Sequence, residues 1–166
     1  MRWIAPNGVE WDSRWAYEVF RQIETSAPGS IRPTTPGVPG ESDTLTYSER
    51  IRHGSCDACG GTSISKHRVY TPDLFYLPSD ACAKRKRLGL STGTSDGYYV
   101  ETKGYLRANK RSLLRAFHKA RKDVAIRYIL QRDYKVTKSL SAVGWITKFL
   151  KCPVIVWDGK LPKEWV

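Results

Sequence analysis

Residues 26–42 carry Pro28, Pro33, Pro36 and Pro39 among Gly29, Gly37 and Gly40. Proline removes a backbone donor and glycine favours turns, so a run this rich in both predicts no regular element. It divides the chain into a short N-terminal unit and a longer remainder. The segment 26–43 reads as a linker or bridge, long enough to carry the first unit away from its own chain.

The elements on either side follow from periodicity. Residues 11–25 predict a helix, capped by Asp12 or Ser13, with Trp15, Ala16, Val19, Phe20 and Ile23 on one apolar stripe. Beyond the linker, strand patterns fall at 44–52, at 63–76 with a break at Pro72, at 98–101, at 124–130 and at 154–157. Helical patterns fall at 106–122 and 141–150, and 161–166 reads as a tail. Such an order predicts an α/β fold, a mixed central sheet flanked by helices. The 166 residues suffice for one domain, 1–166, with an irregular basic insertion at 78–97.

Charge narrows the partners. The net charge is +12. Residues 1–50 hold 5 Lys and Arg against 7 acids, and the remainder holds 23 against 9. A basic two-thirds is the footprint of a polyanion, most often nucleic acid, although a merely soluble basic protein carries the same signature. No apolar run reaches a membrane-spanning length, and the N-terminus lacks a secretory core, so a cytoplasmic protein is expected.

Chemistry enters through Tyr70-Thr71-Pro72-Asp73 and Val100-Glu101-Thr102-Lys103-Gly104. Glu101 and Lys103 are two apart, so on a strand they share a face. With Asp73 they form an Asp…Glu-x-Lys set, two oxygen donors suited to Mg²⁺ or Mn²⁺ beside one cation. Such a metal polarises a phosphodiester and lowers the pKa of bound water, while the lysine orients water or stabilises charge. In a basic chain this points to a metal-dependent nuclease. Glu-x-Lys alone is common as solvated surface charge.

These motifs resemble the bacteriophage T7 endonuclease I family of junction-resolving enzymes, within the PD-(D/E)xK nucleases. The resemblance continues through Ser13 to Glu24, Ala125-Ile126-Arg127-Tyr128-Ile129, Ser141-Ala142-Val143-Gly144 and Lys160-Leu161-Pro162-Lys163-Glu164-Trp165. Only the linker and the 78–97 insertion fall outside it. It implies a PD-(D/E)xK nuclease-like sheet and metal-dependent cleavage of four-way (Holliday) junctions and other branched double-stranded DNA. It also implies a domain-swapped homodimer whose active sites mix two chains. Asp73 and Glu101 would bind Mg²⁺ and Lys103 would assist.

One departure stands out. The family places a catalytic glutamate three residues after the serine of the first helix, and counted from Ser13 that position is Ala16. Glu18 lies ~200° around the helix and faces elsewhere. Either the chain has diverged, or Ala16 is a deliberate Glu→Ala replacement of the kind that traps a nuclease on uncut DNA; the second is favoured. Two other functions compete with junction resolution. One is a sequence-specific endonuclease of homing or restriction type; the other is a zinc-containing DNA-binding protein without catalysis.

Cys56-Asp57-Ala58-Cys59-Gly60-Gly61 has the shape of a zinc knuckle. Cys82 is the third ligand expected for a structural Zn²⁺ and His67 or His53 the fourth, with Cys152 less favoured; free cysteines are the competing reading. The region 53–97 thus holds both knuckle and insertion. Lys84, Arg85, Lys86 and Arg87 form a cationic run, and Arg107, Lys110, Arg111, Arg115 and Lys119 lie on one side of the 106–122 helix. Both are read as DNA phosphate contacts, with a solvated loop as the alternative for the first. Tyr98, Tyr99 and Tyr105 are read as core or rim, and His118 as surface.

Overall fold

The computed structural model describes residues 3–6, 8, 10–11, 13–38, 42–52, 63–77 and 97–165. A five-stranded mixed sheet organises them, in the order β3 (Ile31–Pro33), β6 (Leu74–Tyr76), β7 (Tyr98–Lys103), β8 (Ile126–Leu130) and β9 (Val154–Val156). The β3–β6–β7 pairs are antiparallel, and the β7–β8–β9 pairs are parallel. The parallel crossovers run through α2 (Ala108–Ala120) and α3 (Ala142–Phe149). A mixed α/β architecture with helices flanking the sheet is therefore observed.

The N-terminal helix α1 (Arg14–Ser26) begins where Ser13 accepts the Ala16 backbone N–H at 3.1 Å. Its stripe buries Ala16, Val19 and Ile23 against Leu74, Tyr76, Tyr98, Val100 and Ile129. A two-stranded hairpin, β1 (Trp3–Ile4) with β2 (Glu10–Trp11), extends this face. So does Trp165, whose backbone carbonyl accepts the Tyr98 hydroxyl at 2.7 Å. The Arg127 guanidinium lies 3.7 Å above the Tyr98 ring and 5.1 Å from that of Trp165. The stretch read as a tail is thus anchored in the core through its short 3-10 turn.

The opposite face packs Phe75, Tyr99, Tyr128 and Leu130 against Leu114 and Phe117 of α2 and Trp145 and Ile146 of α3. The strands expected at 44–52 and within 63–76 pair with each other, as β4 (Leu45–Arg52) and β5 (Ser63–Tyr70). Their two-stranded sheet lies outside the central one. It is tied to α2 by Phe117, whose ring meets Tyr47 edge-on at 5.4 Å and Tyr70 at 4.5 Å.

Part of the expected linker is ordered structure. Ile31–Pro33 forms the edge strand β3, a position where proline's missing donor faces no partner. Arg32 then grips Asp43 through two hydrogen bonds of 2.7 and 3.0 Å, and Asp43 also accepts the Thr35 N–H at 2.8 Å. The bridge returns along the sheet edge, and α1 covers the sheet of its own chain.

Candidate active site

Glu101 and Lys103 share the α2-facing side of β7, as their spacing predicts. Asp73 precedes β6 by one residue, next to the registered pair Leu74–Val100, so β6 brings it alongside Glu101. Its Oδ2 accepts both the backbone N–H and the hydroxyl of Thr102, each at 2.7 Å. Its backbone carbonyl accepts the Thr34 N–H at 3.2 Å. Asp73 is therefore fixed by two strands and the bridge. Proline at 72 ends the β5 run and turns the chain into β6.

Glu101 is only 2 % exposed. Burial, with the negative charge of Asp73 adding to it, pushes its carboxyl up to about 7, while Lys103 opposes the rise. The Lys103 Nζ makes an ion pair with Glu101 Oε1 and stands 4.0 Å from Asp73 Oδ2. The Glu101 carboxylate and the hydroxyl of Tyr70 are buried together on the same cavity, the hydroxyl placed to donate to the carboxylate, while Oε2 has no hydrogen bond of ordinary geometry among the described residues. A buried carboxylate pair costs free energy unless cations or donors offset its charge. The donor set therefore fits a hard divalent cation held by Asp73 and Glu101.

These groups line a cavity of about 480 Å³ whose wall also carries Arg68, Arg107 and Lys110. Arg107 and Lys110 thus stand on the same cavity as the acidic groups. Arg115 and Lys119 line a different cavity, of about 830 Å³, at the far end of α2. The Arg111 guanidinium donates to the Val136 carbonyl at 2.9 Å and to that of Leu106 at 3.4 Å. That geometry ties the cation to the loop before α3. Arg68, which pairs with Glu49 at 3.0 Å, was not among the expected contacts. It lies on β5 two residues after Lys66, outside the two cationic groups picked out in the sequence.

Position 16 lies across the sheet from Glu101 and Lys103. Ala16 lines a cavity of about 240 Å³ together with Asp73, Thr34 and Glu10. Asp73 borders both cavities. Glu18 faces away, as the helical angle predicts, and pairs with Arg14 at 2.8 Å.

His118 is not a surface residue. Its Nε2 lies 2.8 Å from the Tyr128 hydroxyl and its Nδ1 3.4 Å from Cys152 Sγ. Burial pulls it down to about 4 and pushes the Cys152 thiol up to about 11. The end of α2 closes over β8 there, which the helical pattern alone does not reveal. Tyr98 and Tyr99 are core, and Tyr105 is rim.

Cys56, Cys59, Cys82 and His53 lie outside the described residues, as do Lys84, Arg85, Lys86 and Arg87. His67 is exposed on β5, its Nδ1 3.3 Å from Ser48 Oγ. It stands four residues into the strand, roughly 13 Å from the end that the Cys56–Cys59 connection enters. Among the described residues no cluster of three His, Cys, Asp or Glu side chains is assembled. Comparison with family models, curated proteins and solved structures finds no match.

Proposed function

We propose that this chain is a Mg²⁺- or Mn²⁺-dependent endodeoxyribonuclease of the PD-(D/E)xK kind. Its substrate is branched double-stranded DNA, four-way junctions included. One observation carries the reading. The buried Glu101 carboxylate stands beside Asp73 and Lys103, in a cavity walled by Arg68, Arg107 and Lys110.

Asp73 and Glu101 would hold the cation, which when bound activates water and polarises the phosphate. Thr102 keeps Asp73 oriented through its two hydrogen bonds. Lys103 neutralises Glu101 in the metal-free chain and supplies positive charge next to the phosphate when DNA is present. Arg107 and Lys110 position the backbone without reading sequence.

The homodimer belongs to the same proposal. Exchange of N-terminal units would repeat between chains the contact that α1 makes within one. A structural Zn²⁺ held by Cys56, Cys59, Cys82 and His67 is likewise proposed, and metal analysis of protein purified without added zinc tests it. Among the described residues no helix is long and apolar enough to cross a membrane.

The deciding experiment compares a four-way junction with a linear duplex of the same sequence, in Mg²⁺. Cleavage of the junction alone supports the proposal; equal cleavage of both points to a nuclease without branch selectivity. Binding without cleavage of either, by the Ala16→Glu variant as well, favours a second reading, a DNA-binding protein that has lost catalysis, for which Ala16 is the supporting observation.

The two classes of cation at the start of α2 separate in a salt titration. Replacing Arg107 and Lys110 together by Gln lowers the slope of log affinity against log salt by roughly two, at about 0.9 per phosphate contact. Arg111→Gln leaves the slope unchanged and lowers stability instead, because its carbonyl partners lose their donor. Equal slopes for all the variants would contradict this division.

A further inference from the structure

The mouth of the acidic cavity carries an aromatic pair that hydrolysis does not use. Tyr105, two residues beyond β7, lines that cavity with Lys103, Arg107 and Lys110. Its side chain is 64 % exposed. One face of the ring stacks on Tyr134, with centroids 5.0 Å apart and planes 17° from parallel. Tyr134 is itself held in place. Its hydroxyl accepts the Leu106 backbone N–H, and the residue packs against the core formed by α2, α3 and the sheet. Tyr105 therefore stands on a rigid support and presents apolar surface to solvent. Val69, 65 % exposed, adds a second apolar surface to the same cavity.

Within a continuous duplex, every base pair has both faces covered by its neighbours. Where strands part, at a fork or at a branch whose arms are unstacked, at least one face is open. An anchored ring beside a phosphate-gripping cavity matches that feature. Stacking tolerates any sequence because every base has a π-face. Arg107 and Lys110 flank the ring and are placed to hold the backbone of the same strand.

We propose that Tyr105, supported by Tyr134, stacks on the nucleobase face left open at a branch point and thereby selects branched over continuous DNA. The proposal rests on the nuclease reading and gives its substrate preference a physical source.

Binding in EDTA, where the strands stay whole, is measured on a splayed-arm DNA and on a linear duplex of equal length and charge. Tyr105→Ala weakens splayed-arm binding roughly tenfold and leaves duplex binding as it was. Tyr105→Trp restores the affinity, and Tyr134→Ala gives a smaller loss. A second arm leaves the protein intact: an abasic site replaces the base at the branch. It lowers wild-type affinity by a similar factor and adds nothing to the loss in Tyr105→Ala. Equal losses on both DNAs, no loss on either, or an abasic effect that persists in Tyr105→Ala overturns the proposal. A wild-type chain that binds neither DNA overturns the nuclease reading with it. One that cleaves branched DNA but is indifferent to Tyr105→Ala removes this inference alone.

Discussion

Glu101→Gln is expected to abolish the proposed Mg²⁺-dependent cleavage, a loss of about a thousandfold or more, yet to stabilise the metal-free protein at about pH 8. The two effects share one cause. Glu101 is buried, with its carboxyl pushed from 4.5 up to about 7. The folded chain therefore binds this proton more tightly than the unfolded chain does. The stability linked to it is complete below about pH 4.5 and is lost as pH rises through about 7. Over that interval the loss amounts to roughly 3 kcal/mol. Glutamine copies the shape of the protonated acid and carries no charge to desolvate, so its variant lacks this decline. Urea unfolding of both chains in EDTA, at about pH 5 and about pH 8, should show the gap between them widening with pH. Added Mg²⁺ should narrow it for the wild-type chain only, since a cation at Glu101 offsets the buried charge. Identical pH dependence in the two chains would contradict the account of Glu101.

Ala16→Glu is expected to raise Mg²⁺-dependent junction cleavage about a hundredfold. The cavity beside Ala16 has room for the longer side chain, and Asp73 is on its wall. A carboxylate placed there would add a third oxygen donor near a cation held by Asp73. The same change should increase the rise in melting temperature on adding Mg²⁺, a readout independent of turnover. Without metal, the variant should be less stable than the wild type, because a carboxylate enters a site that is 2 % exposed. Cleavage and Mg²⁺ response both unchanged would sink the idea that Ala16 replaces a working glutamate. It would leave the DNA-binding reading in the stronger position.

Much of the site is legible because it depends on local geometry. Side chains two apart on a strand share a face whatever surrounds the strand, so Glu101 and Lys103 could be paired from spacing. Ser13 and the stripe of Ala16, Val19 and Ile23 fixed the start and buried face of α1 in the same way. The cations of α2 were visible as a group, but their uses were not. Arg107 and Lys110 reach the acidic cavity, while Arg111 turns to Val136. The Pro-rich bridge misled for a related reason. Its composition argues against strand, yet an edge beside β6 accepts Pro33 because, among the described residues, no strand lies beyond it to be paired.

By itself, then, the sequence determined the periods: the strand that carries Glu101 and Lys103, the capped helix that carries position 16, and the excess of positive charge after residue 50. Only the tertiary structure decided which faces meet. It buried Glu101 and raised its proton affinity. It set Ala16 across the sheet from Lys103, with Asp73 between the two cavities, and seated Tyr105 on Tyr134. Periodicity comes from the backbone of a single segment, whereas burial and contact come from residues far apart in the chain. A segment's own pattern says which side chains point together and not what they will touch.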